Sequence, residues 1–123
     1  MIVDTVSFLT VESGKDLILS FAVMDPDDPT EIESLILLRT PMYEPLLDPR
    51  ERGVKVSFER RNSYEEDLLE AVDWDENGDI IRLTTQLETY ELDLRKVDRP
   101  SIRSMRKLLK KMNCDHSIRL SGV

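Results

Sequence analysis

Tyr90-Glu91-Leu92-Asp93-Leu94-Arg95-Lys96-Val97-Asp98-Arg99-Pro100-Ser101-Ile102-Arg103-Ser104-Met105-Arg106-Lys107-Leu108-Leu109-Lys110-Lys111-Met112 changes its hydrophobic period partway along, and that change decides the fold class. Tyr90, Leu92 and Leu94 alternate with Glu91, Asp93 and Arg95, the period of two that a half-buried strand requires. From Ile102 the apolar residues recur as Ile102, Met105, Leu108, Leu109 and Met112, which is one face of an α-helix. Asp98 or Ser101 can cap its start, Pro100 suits its first turn, and Asn113 can end it. Lys110 and Lys111 stand where the helix dipole favours cations.

Upstream of this stretch the chain reads as strands. Ile2 to Val11 is rich in β-branched and aromatic types, and Leu17 to Met24 is almost wholly apolar, as a strand central in a sheet should be. The turn between them contains Gly14, which is free to take a positive φ. Asp25-Pro26-Asp27-Asp28-Pro29-Thr30 is a loop, because two prolines deny a ladder its donors and three carboxylates favour water. Ser34–Thr40 is a third strand. Pro41 to Arg52 is an irregular excursion with a short helical turn at Tyr43–Leu47. Val54, Val56 and Phe58 alternate with Lys55, Ser57 and Glu59, and the segments on either side of Asp75-Glu76-Asn77-Gly78 form a hairpin on its Asn-Gly signal. Ser117 to Leu120 is a short final strand or a tail. The expectation is a single α+β domain over 1–123: a mostly antiparallel sheet of about six strands with a C-terminal amphipathic helix.

A chain of 123 residues can bury one core unaided. No stretch of about 18 apolar residues occurs, so no membrane-spanning helix is expected. The N-terminus reads as a strand and carries no signal-peptide pattern. The single cysteine, Cys114, precludes an internal disulfide and points to a reducing compartment, so a cytoplasmic location is expected. Net charge is −8, unevenly spread. Residues 1–94 hold 23 acidic and 8 basic side chains, whereas residues 95–123 hold 2 acidic and 9 basic. An anionic bulk repels phosphates, which argues against nucleic-acid binding by the whole surface and leaves the basic segment as a local exception.

Four groups of residues invite a chemical reading. Asp73-Trp74-Asp75-Glu76-Asn77-Gly78-Asp79-Ile80 has the oxygen donors of the front of a calcium loop. Thr84 stands where that loop needs a bidentate glutamate, and strands flank it, so a hairpin turn without metal is expected. Cys114-Asp115-His116 joins the only cysteine and the only histidine. Neighbours in sequence rarely attain the orientation of a nucleophile–base pair, and two ligands do not complete a zinc site. The paired carboxylates, Asp27-Asp28 and Glu65-Glu66-Asp67, lie in loops among like charges, which signals solvation more than acid–base work. No cofactor and no catalytic residue is expected. Last, Arg103, Arg106, Lys107, Lys110 and Lys111 oppose the apolar stripe of the helix. They read as a solvated face complementing the acidic body, with a phosphate contact or a protein interface as the functional alternatives.

Leu35-Ile36-Leu37-Leu38-Arg39, Val54-Lys55-Val56-Ser57-Phe58, Leu68 to Leu83 with its turn, Tyr90-Glu91-Leu92-Asp93-Leu94 and the terminal Leu108-Leu109-Lys110-Lys111-Met112 together resemble immunity protein ten, a family of bacterial polymorphic toxin systems. Asn62-Ser63-Tyr64-Glu65-Glu66 departs from that family's Tyr-Gly-Gly-type segment. The resemblance implies a cytoplasmic non-enzyme that binds and blocks a toxin domain, often a nuclease. Nuclease clefts are basic, so the contacts expected under it are Asp25, Asp27, Asp28, Glu65, Glu66 and Asp67. The alternatives are a nucleic-acid-associated regulator using the basic helix and a self-assembling component, such as a homodimer.

Overall fold

The structure, a computed structural model, describes residues 2–61 and 66–123. The chain runs through β1 (Ile2–Ser13), β2 (Leu17–Met24), β3 (Ile32–Arg39), two 3-10 turns (Pro41–Leu46 and Pro49–Glu51), β4 (Lys55–Phe58), β5 (Leu69–Asp75), β6 (Ile80–Thr85), β7 (Thr89–Asp93), α1 (Arg99–Met112) and β8 (Arg119–Ser121). The α+β class and the single C-terminal α-helix match the sequence. The strand number does not: the sheet has eight strands, in the order β4-β3-β2-β1-β7-β6-β5-β8. Two antiparallel meanders, β1 to β4 and β5 to β7, are joined side by side through a parallel pairing of β1 with β7. The brief β8 adds in parallel to β5.

The sheet curls until β4, at one end, meets the segment leading into β5, the strand next to the other end. Val56 N–H donates to the Asp67 carbonyl at 2.9 Å and Leu69 N–H to the Val54 carbonyl at 2.9 Å, tying β4 to the approach of β5. This contact covers a strand edge that would otherwise be open to other chains. The helix packs its apolar stripe on β1 and β2. Ile102, Met105, Leu108, Leu109 and Met112 are all buried there, each stabilising the fold by about 1.5–3 kcal/mol through lost apolar exposure. Of the two capping candidates, Asp98 is the cap, accepting from Ser101 N–H at 2.8 Å. At the other end Asn113 brackets the exit into β8, its amide exchanging 2.9 Å hydrogen bonds with the backbone of Ile118.

Three local details differ from the sequence reading. A bulge between Val6 and Phe8 reverses the alternation of β1, so Asp4 and Val6 point inward before it and Leu9 after it, leaving Phe8 half exposed. The hairpin after β5 closes on the Asp75–Ile80 pair with four residues, and its positive φ belongs to Asp79 rather than Gly78. Gly14 does not use its left-handed freedom, whereas Gly122 does, at φ 77°. A methyl at Gly122 would collide with the Trp74 carbonyl oxygen, while one at Gly14 would meet nothing within 4 Å. Gly122→Ala is therefore expected to lower the unfolding free energy by about 1–3 kcal/mol, and Gly14→Ala to leave it nearly unchanged. Urea titrations of the two variants compare them directly.

Candidate interaction surfaces

The loop 25–31 joins β2 to β3 and is braced from within. Asp25 N–H donates to the Glu31 carbonyl at 3.2 Å and Glu31 N–H to the Asp28 carbonyl at 3.0 Å. The Asp25 carboxylate accepts from Asp27 N–H at 2.9 Å, and Asp28 accepts from the Thr30 hydroxyl and N–H at 2.6 and 3.0 Å. Those Thr30 bonds, the hydroxyl first, hold the Asp28 carboxyl below its ordinary pKa. Among the described residues Asp27, Asp28 and Glu31 make no ion pair.

Beside the loop lies a cleft of about 300 Å³ whose lining includes Val3, Met24, Pro26 and Pro29, with the carboxylates of Asp4 and Asp93 at its edge. Both of those carboxylates are already neutralised. Asp4 is buried against Arg60 at 2.9 Å, and Asp93 is gripped by Arg95 at 2.6 Å. Arg60 also binds Glu33 and stacks over the Phe58 ring, 5.0 Å from its centroid. Val3 is 69% exposed and Ile32 46%, so apolar surface stands beside the free carboxylates of the loop.

The remaining carboxylates singled out in the sequence do not join this surface. Glu65 lies outside the described residues. Glu66 is exposed and pairs with Lys55 at 3.1 Å. Lys55 sits opposite Leu38, and the loop 25–31 adjoins Ile32 at the other end of β3. Six residues of strand separate the two levels by roughly 20 Å. Asp67 is the clear correction. It is buried, accepting from the Thr85 hydroxyl at 2.6 Å and Leu87 N–H at 3.1 Å, with Arg61 3.5 Å away. Its carboxylate is engaged within the fold and not displayed on an exposed loop.

Asp75 and Asp79, read against a calcium loop, serve the fold. Asp75 accepts from Asn77 and Gly78 N–H at 3.0 and 3.3 Å, and Asp79 pairs with Arg99 at 3.2 Å. Cys114 and His116 are exposed on the turn after α1, His116 at φ 56°, a region histidine tolerates better than most residues. The residue between them carries the interaction of consequence. Asp115 binds the fully buried guanidinium of Arg39 at 2.9 Å, and Arg39 also holds Glu44 at 2.7 Å. Burial disfavours the charge on Arg39, but its bonds to Asp115 and Glu44 outweigh burial and raise its pKa. The hydrogen bond from Arg39 in turn holds Asp115 far below the usual carboxylate range.

That depression has a sign. A carboxylate with a lowered folded-state pKa contributes stability that is present above its unfolded value, about pH 4, and is lost as pH falls toward the folded value. Asp115→Asn is therefore expected to be less stable than the parent at pH 7, with the difference shrinking toward pH 2. Denaturant midpoints at the two pH values check it.

Two features escaped the sequence reading. Met42, Tyr43 and Leu46 project from the first 3-10 turn, Leu46 at 83% exposure, beside a hollow of about 210 Å³ lined by Leu38, Thr40, Leu47 and Gly53 among others. The signal available was a proline-rich segment with apolar residues at no strand or helix period. The second concerns the basic helix face. Arg103, Arg106, Lys107, Lys110 and Lys111 make no ion pair with any described carboxylate. Arg103, Lys107, Lys110 and Lys111 are exposed, a solvated face as the sequence predicts, with its charges unpaired among the described residues. Among the described residues no helix is long and apolar enough to cross a membrane.

The chain matches no protein-family model, no curated protein and no solved structure.

Proposed function

We propose that this chain is a non-catalytic protein-binding module that acts by charge-complementary contact with a basic partner, and that its concrete form is an immunity protein covering a nuclease-type toxin domain. The observation carrying this reading is the loop 25–31. It is held in one shape by its own hydrogen bonds, presents the carboxylates of Asp27, Asp28 and Glu31, which have no ion-pair partner among the described residues, and adjoins the exposed Val3 and Ile32. A preorganised anionic loop loses little conformational freedom on binding. Its field speeds encounter with a basic cleft, and the neighbouring apolar groups gain from being covered.

Asp27 and Glu31 are the residues to reverse, because Asp25 and Asp28 hold the loop together. Asp27→Lys with Glu31→Lys is expected to slow association with a basic nuclease-type toxin domain by about tenfold to a hundredfold at low salt. The thermal midpoint should stay where it was. Stopped-flow association against ionic strength measures the effect, and an unchanged rate with an unchanged salt slope excludes this surface.

A second reading, a nucleic-acid-associated regulator, draws support from the unpaired cations of α1. Replacing Arg103, Arg106 and Lys107 with alanine should then abolish a salt-sensitive shift of DNA or RNA.

A further inference from the structure

β1 outruns its neighbour. β7 pairs with it only over Ile2–Thr5, whereas β2 accompanies it from Val6 to Ser13. Past Thr5, therefore, β1 is an edge. In an antiparallel ladder every second residue turns its N–H and C=O away from its partner, so alternate residues of 7–13 present both groups on the side away from β2. Among the described residues nothing beyond β2 hydrogen-bonds to the main chain of this segment. Edges of this kind are commonly blunted by lysine or proline. Ser7-Phe8-Leu9-Thr10-Val11-Glu12-Ser13 has neither, and Glu12 is its one charge.

Helix α1 lies beside this edge and leaves a groove. Leu9 and Val11 of the strand, with Pro100, Ser101 and Ser104 of the helix, line a hollow of about 230 Å³. Val11, Ser13, Ser104, Lys107, Leu108 and Lys111 line the next, of about 340 Å³, and the shared Val11 and Ser104 make the two continuous. Lys111 donates to the Ser13 hydroxyl at 2.8 Å, and among the described residues neither it nor Lys107 has a carboxylate partner. In a chain of net charge −8, two cations left unpaired on a groove wall are available to an anion from outside.

We propose that this groove receives an extended acidic segment of a partner protein, which adds a strand to the free edge of β1 while its carboxylates meet Lys107 and Lys111. The spacing suits it. Residues four apart on a helix are about 6 Å apart along its axis, and alternate side chains of a strand about 6.7 Å apart, so acidic residues at positions i and i+2 reach both lysines. Main-chain pairing supplies affinity and the flanking side chains supply selectivity. A nucleic acid can use the cations but not the hydrogen-bonding edge. A second copy pairing through the same strand brings only Glu12 to the two lysines. This inference goes beyond the proposed function and concerns a different surface, so its failure leaves the loop 25–31 untouched.

The test uses the intact chain and a fluorescein-labelled peptide, Thr-Val-Glu-Val-Glu-Val-Thr, followed by anisotropy at low salt and by amide hydrogen exchange. The expected result is saturable binding with slowed exchange at alternate amides of 8–13. Binding should be lost when the peptide's pairing amides are N-methylated or its glutamates become lysines. Lys107→Glu with Lys111→Glu, both at exposed positions, should weaken it by about tenfold or more. No binding at millimolar peptide overturns the proposal. So does equal binding of the N-methylated peptide, or of oligothymidylate, without protection of 8–13, which would make the face a general polyanion site. Protection of 8–13 that rises with protein concentration in the absence of peptide also overturns it, in favour of a second copy as the occupant.

Discussion

Arg39→Ala is expected to lower the unfolding free energy by about 3–5 kcal/mol, the range for removing one partner of a buried ion pair. Arg39 ends β3 inside the molecule, 2% exposed. Its Nε and Nη2 fork onto the Glu44 carboxylate at 2.7 and 2.8 Å. Nη1 donates to the Met112 carbonyl at 2.7 Å, one of the acceptors that a helix C-terminus leaves without an intrahelical donor. Nη1 and Nη2 reach the two Asp115 oxygens at 3.1 and 2.9 Å. One side chain thus joins the end of β3, the first 3-10 turn and the turn after α1. Alanine would leave Glu44, which is mostly buried, without its counter-ion and the end of α1 without its donor.

The conservative variant discriminates charge from geometry. Arg39→Lys keeps the charge but cannot reproduce two parallel bonds to Glu44 while holding Asp115 and Met112, so it should fall between the parent and alanine. Pairing Arg39→Ala with Glu44→Gln should recover part of the loss, because the stranded carboxylate is then neutral. Urea unfolding followed by circular dichroism gives all four values. An alanine variant within about 1 kcal/mol of the parent would mean that the three tethered segments hold together without it.

Asp67→Ala is the second large effect, with an expected loss of about 2–3 kcal/mol from charged hydrogen bonds broken in a buried site. The Asp67 carboxylate organises the turn between β6 and β7 through the Thr85 hydroxyl and Leu87 N–H, and it faces Arg61, whose guanidinium also reaches the Tyr90 hydroxyl at 3.4 Å. Asp67→Asn retains an acceptor and the shape, so it should cost less than alanine. The consequence for binding studies is specific. A substitution at Asp67 should weaken partner binding only as far as it lowers the folded fraction, and the deficit should vanish at a temperature where both proteins are fully folded. Charge reversal at Asp27 should do the opposite, changing association and leaving stability alone. Thermal melts run beside the association measurements separate the two residues.

Legibility of the fold followed the range of the interactions that make each part. The alternation of Tyr90, Leu92 and Leu94 and the helical spacing from Ile102 to Met112 are consequences of local backbone geometry, so they could be read directly. Asp98 as cap and Asn113 as terminator are equally local. The acidic loop 25–31 was legible because prolines and like charges exclude a ladder without reference to anything distant. The strand total of about six was too low even for the segments that alternation marks, and whether Ser117 to Leu120 is a strand or a tail is decided only by the edge that β5 offers to β8.

What the residues by themselves determined is therefore an α+β chain with a final amphipathic helix, an exposed anionic loop and a charge split between body and tail. Tertiary structure alone decided that β1 lies parallel to β7 over Ile2–Thr5 and then runs on paired to β2 alone, that Asp67 is interior while Asp27 faces water, and that Arg39 joins Asp115 across 76 positions of sequence. The reason is physical: a side chain's period is written by its neighbours along the chain, whereas its solvation and its ion partners are set by segments that folding brings together from far away.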